Sequence, residues 1–216
     1  MAAHALMESL SEPKLAVDGE VISGPLFRGL DADSLANAPM TIENRGDRPI
    51  DVGITVRGVP ATPEPAGGNY YSLKRTYYTL DGQPADLATV DQGARLVAVL
   101  DVTTTESQGA RLVLDDPLPA GFEIDNPHVL SSGDVASLTW LNLVSNPAHV
   151  EFRADRFVAA WDLPTGGTTQ FQFAYIVRAV SPGNFLHPAA LIEDMYRPER
   201  RARTDTGRVE VVGPLR

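Results

Sequence analysis

The feature that most limits the possible folds is a series of short β-like segments separated by turn residues. In residues 168–180, TTQFQFAYIVRAV, the side chains of Phe171, Phe173, Tyr175 and Val177 fall on one face of an extended chain. Similar runs recur along the sequence, with glycine, proline or aspartate between them. They do not alternate with long amphipathic helical patterns, which argues against a parallel α/β fold. The pattern predicts an all-β, antiparallel sandwich.

The first sixty residues carry further β signals and one helical signal. Asp18–Gly19 is a dipeptide typical of tight hairpins, and it separates two short apolar runs. Residues 50–56, IDVGITV, have an apolar side chain at every second position, which predicts a strand. Residues 3–10, AHALMESL, favour a helix, either the end of a longer one or a frayed N-terminal turn. Residues 60–69, PATPEPAGGN, have the composition of a linker.

Charge and cysteine content exclude several classes of function. The chain has 18 basic and 28 acidic side chains, a net charge of -10 and a pI near 4.8. Binding to nucleic acid or to an anionic membrane needs a basic face, so neither is predicted. The absence of cysteine excludes disulfides, thiol chemistry and cysteine-ligated zinc. The longest apolar runs are far shorter than a membrane span, and residues 1–19 do not have a signal-peptide pattern.

No catalytic or metal-binding motif is recognisable in the sequence. The four histidines, His4, His128, His149 and His187, have no metal-ligand spacing. Neither a G-x-S-x-G elbow nor a phosphate-binding loop occurs. An acid–base hydrolase built on Asp115, Asp116 and Glu123 is the least favoured alternative, since no other catalytic group accompanies these acids. We therefore expect no enzyme activity, no cofactor and no metal.

The segment EDMYRPERRARTDTG, residues 193–207, combines a methionine–tyrosine pair with a basic cluster. Its arginines are Arg197, Arg200, Arg201 and Arg203, and the pair Met195–Tyr196 precedes them. Because Pro198 disfavours regular structure, the segment is predicted to be a loop or a short helix before the last strand. From the chemistry alone it is an anion-binding loop, a loop that guards a site, or a solvated connection.

Four separated phrases of the sequence occur together in one known family. They are YYSLKRTYYTLDGQPADLATVDQGARLVAVLDV, LPAGFEIDNP, FRADRFVAAWDL and MYRPERRARTDTGRVEV, in that order. Together they make residues 67–216 resemble the C-terminal end of bacterial alpha-2-macroglobulins, while residues 1–60 match more loosely. The resemblance implies a macroglobulin- or immunoglobulin-like β-sandwich preceded by a partial second β-sandwich and a short N-terminal helix.

The resemblance also implies domain boundaries. Residues 1–12 correspond to the end of a thioester-domain helix, residues 13–60 to part of a CUB-like β domain, and residues 61–68 to a linker. Residues 69–216 correspond to the final macroglobulin-like sandwich. Half of a CUB-like sandwich exposes sheet edges. We therefore expect residues 1–60 to be partly ordered, swapped between chains, or paired with a neighbouring copy.

Members of this family are large periplasmic protease inhibitors, often anchored to the inner membrane. A protease cuts a bait region, and a rearrangement then makes a shielded Cys–Gln thioester reactive. The resemblance thus implies a non-catalytic role in a longer periplasmic protein, with its thioester domain and its target proteases as partners. It implies no contact with nucleic acid and no membrane insertion by this segment. The chain lacks the C-x-E-Q motif, so it cannot trap a protease covalently by itself.

The site that the resemblance implies is the pair Met195 and Tyr196, which matches the methionine–tyrosine pair that helps to shield the thioester. Arg197, Arg200, Arg201 and Arg203 are then expected to contact acidic surface on the thioester domain.

An alternative of another class is a stand-alone adhesion or carbohydrate-binding β-sandwich. It would use the arginine segment and the tyrosines of residues 69–78, NYYSLKRTYY.

Overall fold

A computed structural model describes residues 14–24, 26–37, 39–55, 57–58, 62–105, 107–128, 133–143 and 147–213. The helix predicted for residues 3–10 lies outside these ranges. The described chain forms two compact units, residues 1–59 and residues 60–216. Within the described residues, no helix is long and apolar enough to cross a membrane.

The first unit is built around a small antiparallel sheet. Its elements are β1 (Lys14–Val17), β2 (Glu20–Ser23), the short helix α1 (Ala32–Asn37) and β3 (Ile42–Asn44). The central strand β1 pairs with β2 on one side and β3 on the other. Asp18 and Gly19 connect β1 to β2 with φ angles of 51° and 88°. Two positive φ angles are typical of a type I′ hairpin turn, so the predicted hairpin is confirmed.

The strand predicted for residues 50–56 does not form. Residues 49–55 are in no regular element, and Ile50, Val52 and Ile54 are 37%, 61% and 84% exposed. Val56 lies outside the described residues. Alternation marks which side chains would share a face, but a strand also needs a neighbour for its backbone hydrogen bonds. The described part of the first unit supplies no such neighbour.

The second unit contains most of the strands. They are β4 (Gly67–Gly68), β5 (Tyr71–Thr79), β6 (Val90–Asp91), β7 (Arg95–Thr104), β8 (Ala110–Pro117), β9 (Phe122–Ile124), β10 (His149–Phe152), β11 (Arg156–Leu163), β12 (Gln170–Ala179), β13 (Gly183–His187), β14 (Leu191–Asp194), β15 (Arg197–Arg203) and β16 (Gly207–Val212). Within the described residues they form sheets in the orders β10-β11-β8-β14-β15-β4, β5-β7-β12-β9 and β13-β16-β6. Apart from the short parallel pair of β16 and β6, every pairing is antiparallel.

The two larger sheets enclose the main core. From one sheet come Leu112, Leu114 and Phe157, and from the other come Phe173 and Tyr175; all are almost fully buried. The rings of Phe157 and Tyr175 stack across the interface with centroids 4.5 Å apart. The alternation read from residues 168–180 thus places the expected face of β12 in the core. The predicted all-β antiparallel sandwich is confirmed.

The outer face of the β5-β7-β12-β9 sheet is also covered. Val99 and Ile176 on that face pack beneath residues 133–143. Trp140 fixes this segment, because its indole Nε1 donates to the carbonyl of Leu80 at 2.9 Å and its ring packs on Tyr78. The middle of this sheet is therefore buried on both sides, which explains why the outer face of β12 has the apolar residues Ala174 and Ile176 at its centre.

The arginine segment is a strand rather than the predicted loop or short helix. Residues 197–203 form β15, which pairs with β14 along one side and, through its last two residues, with the short edge strand β4 on the other. The ladder is interrupted: Glu193 pairs with Arg201, but Asp194 pairs with Arg197, so β15 has three additional residues between two consecutive pairs. Pro198 lies in this bulge, where its missing N–H breaks no ladder hydrogen bond. The prediction was wrong because proline is tolerated in such edge bulges.

Candidate functional site

Met195 and Tyr196 form the tip of the hairpin between β14 and β15. Their side chains are 58% and 76% exposed, which is unusual for two large neighbouring side chains with apolar bodies. The tip is thus an apolar projection from the edge of the sandwich. An exposed pair of this kind is a candidate contact surface.

A buried carboxylate lies directly beneath the tip. Asp194 is fully buried at the end of β14. Its Oδ1 accepts a hydrogen bond from the backbone N–H of Tyr196 at 3.0 Å, and its Oδ2 accepts one from Nε of Arg197 at 2.6 Å. The backbone N–H of Met195 donates to the carbonyl of Arg111 on β8 at 2.8 Å. The backbone of each tip residue is therefore hydrogen-bonded to the sheet, that of Met195 to β8 and that of Tyr196 to β14.

Arg197 completes the support of the tip. Besides pairing with Asp194, its two terminal nitrogens donate to Oε1 of Gln108 at 3.0 Å and to the carbonyl of Gly109 at 2.8 Å. All three guanidinium nitrogens therefore have partners inside the same unit. The contact with another domain that the sequence led us to expect for Arg197 stays a prediction, and the structure gives this side chain an internal role as well.

Arg203 and Arg200 also have partners within the second unit. Arg203 pairs with Glu64, just before β4. The guanidinium carbon of Arg200 lies 4.5 Å from the centroid of the Tyr70 ring, within cation–π range. Tyr70 has a φ of 66°, a left-handed conformation that is uncommon for a residue other than glycine. The residue is 45% exposed.

Arg201 is the exposed member of the arginine cluster. Its backbone N–H donates to Oδ1 of Asn69 at 3.1 Å, and its carbonyl accepts from the N–H of Asn69 at 3.0 Å. These bonds anchor the main chain and leave the guanidinium at the surface. Arg201 is therefore the arginine best placed for a contact with another domain.

The three acids of the hydrolase alternative do not form a common site. Asp115 and Asp116 are neighbours on β8 and point to opposite sides of the sheet: Asp115 pairs with Arg156 near the surface, and Asp116 is buried. Glu123 lies on β9, in the other large sheet. Among the described residues, no group of histidine and acidic side chains could hold a metal ion. The geometry does not support acid–base catalysis by these residues.

Asp116 is instead the centre of a buried polar network in the core. It pairs with the Arg75 guanidinium, which also donates to the carbonyl of Pro188 at 2.7 Å, and it accepts a hydrogen bond from the Tyr175 hydroxyl at 2.7 Å. Burial raises the pKa of Asp116, and the charge of Arg75 opposes this shift. Burial likewise raises the pKa of the Tyr175 hydroxyl. The network links the two large sheets through one ion pair.

His187 lies beside this network. Its Nε2 is 3.0 Å from the Tyr77 hydroxyl, and only 6% of the residue is exposed. Burial, together with the nearby charge of Arg75, lowers the pKa of His187 to about 3. The imidazole is therefore neutral at physiological pH, as is typical of a core histidine.

The tyrosines do not form the exposed platform of the adhesion alternative. Tyr71 and Tyr77 are buried, Tyr78 is half-buried, and Tyr70 is the exposed member of the group. Tyr71 and Tyr77 share the face of β5 that lies in the main core, Tyr78 lies on the opposite face beside Trp140, and Tyr70 precedes the strand.

Sequence reasoning missed Asp194. The signal that could have found it is D-M-Y-R, because aspartate before a turn commonly accepts a hydrogen bond from a backbone N–H two residues later. The sequence contains many other acidic residues, so Asp194 did not stand out. Its burial results from the pairing of β14 with its neighbouring strands, which local sequence does not show.

The fold and the tip together define a β-sandwich module with an apolar hairpin projecting from one sheet edge. Comparison with known proteins agrees: the family model of the bacterial alpha-2-macroglobulin MG10 domain matches residues 71–199, more than half of the chain. The chain therefore belongs to the bacterial alpha-2-macroglobulin family and contains its MG10 domain.

Individual relatives show how much of such a protein this chain represents. It is 38% identical over 189 residues to an alpha-2-macroglobulin of Xylella fastidiosa, an alignment that spans 84% of this chain and 11% of the relative. The structure of Salmonella alpha-2-macroglobulin reacted with methylamine is 27% identical, with a TM-score of 0.76 over 98% of this chain and 14% of that one. Escherichia coli alpha-2-macroglobulin activated by porcine elastase is 26% identical, with a TM-score of 0.61 over 97% of this chain and 19% of that one.

Proposed function

We propose that this chain is the C-terminal portion of a periplasmic, broad-spectrum protease inhibitor, and that its Met195–Tyr196 tip shields the thioester of the adjoining domain. The observation that carries the proposal is the tip itself: two large side chains held outside the sandwich by a buried support. Similar structures include one relative that had reacted with methylamine and one activated by a protease. The role of this chain is non-catalytic packing and shielding.

The chemistry of the tip suits this role. A thioester hydrolyses when water reaches it, so a shield must present apolar surface. Methionine adapts its shape to an irregular site, and tyrosine adds a rigid ring with one hydrogen-bonding group. A shield of only two side chains is held by modest forces, so a rearrangement of the longer protein can remove it.

The domain assignment is part of the proposal. Residues 1–12 end a thioester-domain helix, residues 13–60 form part of a CUB-like domain, residues 61–68 are a linker, and residues 69–216 are the final macroglobulin-like domain. The exposed Ile50, Val52 and Ile54 support the assignment of residues 13–60 to part of a CUB-like domain. Alternating apolar side chains that are exposed here suit a sandwich completed by strands from elsewhere in a longer protein. Gly67–Gly68 pairs with β15, so the end of the linker joins the last domain.

The partners and the location follow from the same assignment. We infer that the thioester domain of the longer protein is the direct partner of this chain and that target proteases meet it through the longer protein. Nucleic acid is not a partner. The location is the periplasm, with anchoring to the inner membrane through the longer protein.

Removing the tip is expected to make the thioester more reactive. In the full-length protein, Met195→Ala with Tyr196→Ala should raise methylamine incorporation before any protease is added by roughly 10-fold or more, because the apolar contacts of two large side chains are lost. Incorporation can be followed with labelled methylamine. Leu186→Ala is a matched control, since Leu186 is 54% exposed on β13, which belongs to a different sheet from the tip hairpin. If the double variant incorporates methylamine no faster than this control, the proposed shielding role is contradicted.

Charge reversal at the arginine cluster tests the domain contact. In the full-length protein, Arg200→Glu with Arg201→Glu should raise methylamine incorporation by about 3- to 10-fold, the effect of two partly exposed charges on a contact. Salt should reduce the difference, because it screens exposed pairs. Arg208→Glu on β16 serves as the control. Equal incorporation in the variant and the control at both low and high salt would contradict a contact with acidic surface.

A further inference from the structure

We propose that Asp194 and Arg197 act as a positioning clamp that presets the Met195–Tyr196 tip in its projecting conformation. This inference rests on the proposed function, because it assigns to a buried carboxylate and a partly buried guanidinium the task of holding the shield ready. The clamp is a hydrogen-bonded unit: Asp194 binds the Tyr196 backbone and the Arg197 side chain, and Arg197 binds Gln108 and Gly109.

The tip needs such support because its turn is unfavourable for a hairpin. Two-residue hairpins prefer primed turns with positive φ angles, whose twist matches that of the strands. Among the described residues other than glycine, positive φ angles occur at Asp18 and Tyr70, and therefore not at Met195 or Tyr196. An unprimed turn splays its strands, and beyond the closing pair of Asp194 with Arg197 the register of the β14–β15 ladder shifts. The carboxylate of Asp194 replaces the ladder hydrogen bonds that this geometry cannot provide.

The burial of Asp194 makes the clamp obligatory. A carboxylate without solvent contact must be paired and hydrogen-bonded to be tolerated. The two oxygens of Asp194 meet this requirement through the main chain of the tip and through Arg197. The tip cannot move away from the sheet without leaving the carboxylate unsatisfied, so tip and clamp move as one body.

A preset tip has a functional consequence. An exposed apolar pair on a mobile loop would lose conformational freedom each time it docked, whereas a rigid tip loses little. The clamp therefore favours docking on the neighbouring domain without adding any contact to it. Loss of the clamp should weaken shielding even when Met195 and Tyr196 are both intact.

Amide exchange of the 216-residue chain tests the clamp directly. In Asp194→Ala the backbone amide of Tyr196 should exchange about 10- to 100-fold faster than in the wild type, the effect of losing its hydrogen bond to a charged group. Arg197→Lys is the milder variant, because an ammonium group can pair with Asp194 but cannot reach Gln108 and Gly109 together. Arg197→Lys should accelerate exchange of the tip amide about 3- to 10-fold. The control variant Arg201→Lys should leave exchange at the tip unchanged. In all variants the amides of β12 should exchange at the wild-type rate. If Asp194→Ala and Arg197→Lys both fold and both keep the wild-type exchange rate at the tip, the clamp proposal is contradicted.

Methylamine incorporation in the full-length protein connects the clamp to shielding. Asp194→Ala and Arg197→Lys should both raise incorporation, in the same order as their exchange rates. If only Met195→Ala with Tyr196→Ala raises it, the tip shields without the clamp and this inference is overturned. If exchange accelerates but none of these variants raises incorporation, the clamp positions the tip and the proposed shielding fails.

Discussion

Replacing Asp116 with alanine is expected to lower the free energy of unfolding by about 3–5 kcal/mol, the usual cost of breaking a buried ion pair. The side chains of Arg75 and Asp116 are 5% and 0% exposed, so the remaining guanidinium would be a buried charge without its partner. The Tyr175 hydroxyl would lose its acceptor at the same time. Both groups lie between the two large sheets, where water cannot replace the lost carboxylate.

Tryptophan fluorescence during urea unfolding can measure this effect, because Trp140 and Trp161 are the only tryptophans in the sequence and both belong to the second unit. Asp115→Ala is the matched control: its side chain is 37% exposed and pairs with Arg156, so it should cost less than about 1 kcal/mol. The double variant Arg75→Met with Asp116→Leu should recover much of the loss, since it leaves neither charge unpaired. Equal losses in Asp116→Ala and Asp115→Ala would show that the buried pair does not stabilise the core.

Lowering the pH from 7 to 4 is expected to cost the wild type about 3 kcal/mol more stability than His187→Gln. The folded protein holds the pKa of His187 at about 3, against an ordinary value of 6.5 in the unfolded chain. Between these two values the unfolded chain binds a proton at this position and the folded protein does not. Stability therefore falls as the pH drops below about 6.5, and the loss levels off near pH 3.

The comparison with His187→Gln isolates this group from the carboxylates that titrate in the same range. Glutamine can keep a hydrogen bond with Tyr77, the group that contacts the His187 ring. His149→Gln is a second control, because His149 is exposed and lies beside Glu151 at the surface. Parallel stability profiles of the wild type and His187→Gln between pH 7 and 4 would mean that the imidazole is protonated inside the fold.

The sequence predicted the sandwich because its strongest signals are local. Alternation along β12 and the Asp18–Gly19 turn depend only on backbone geometry and on neighbouring residues. The failed strand at residues 50–56 shows the limit of such signals. Its alternation is as clear as that of β12, but a strand exists only when a second strand lies beside it, and local sequence does not state where that strand comes from.

The candidate site was predicted in part. Met195 and Tyr196 were named through a family resemblance, and the structure places them at an exposed hairpin tip. Asp194 was missed and β15 was expected to be a loop, because both depend on the edge of the six-stranded sheet. The arginines looked equivalent in the sequence, but Arg197 is bonded inside the unit and Arg201 is exposed.

The amino-acid sequence by itself determined the class of fold, the acidic character, the absence of cysteine chemistry and the position of the apolar pair. The first three follow from composition and from periodicities of two residues along the chain, and the pair was singled out by the family resemblance. Only the tertiary structure decided which acid is buried beneath the tip, which arginine supports it, and which ion pair links the sheets. The reason is physical: burial and hydrogen bonding depend on residues far apart in sequence, such as Gln108 with Arg197, which meet only when the strands pair.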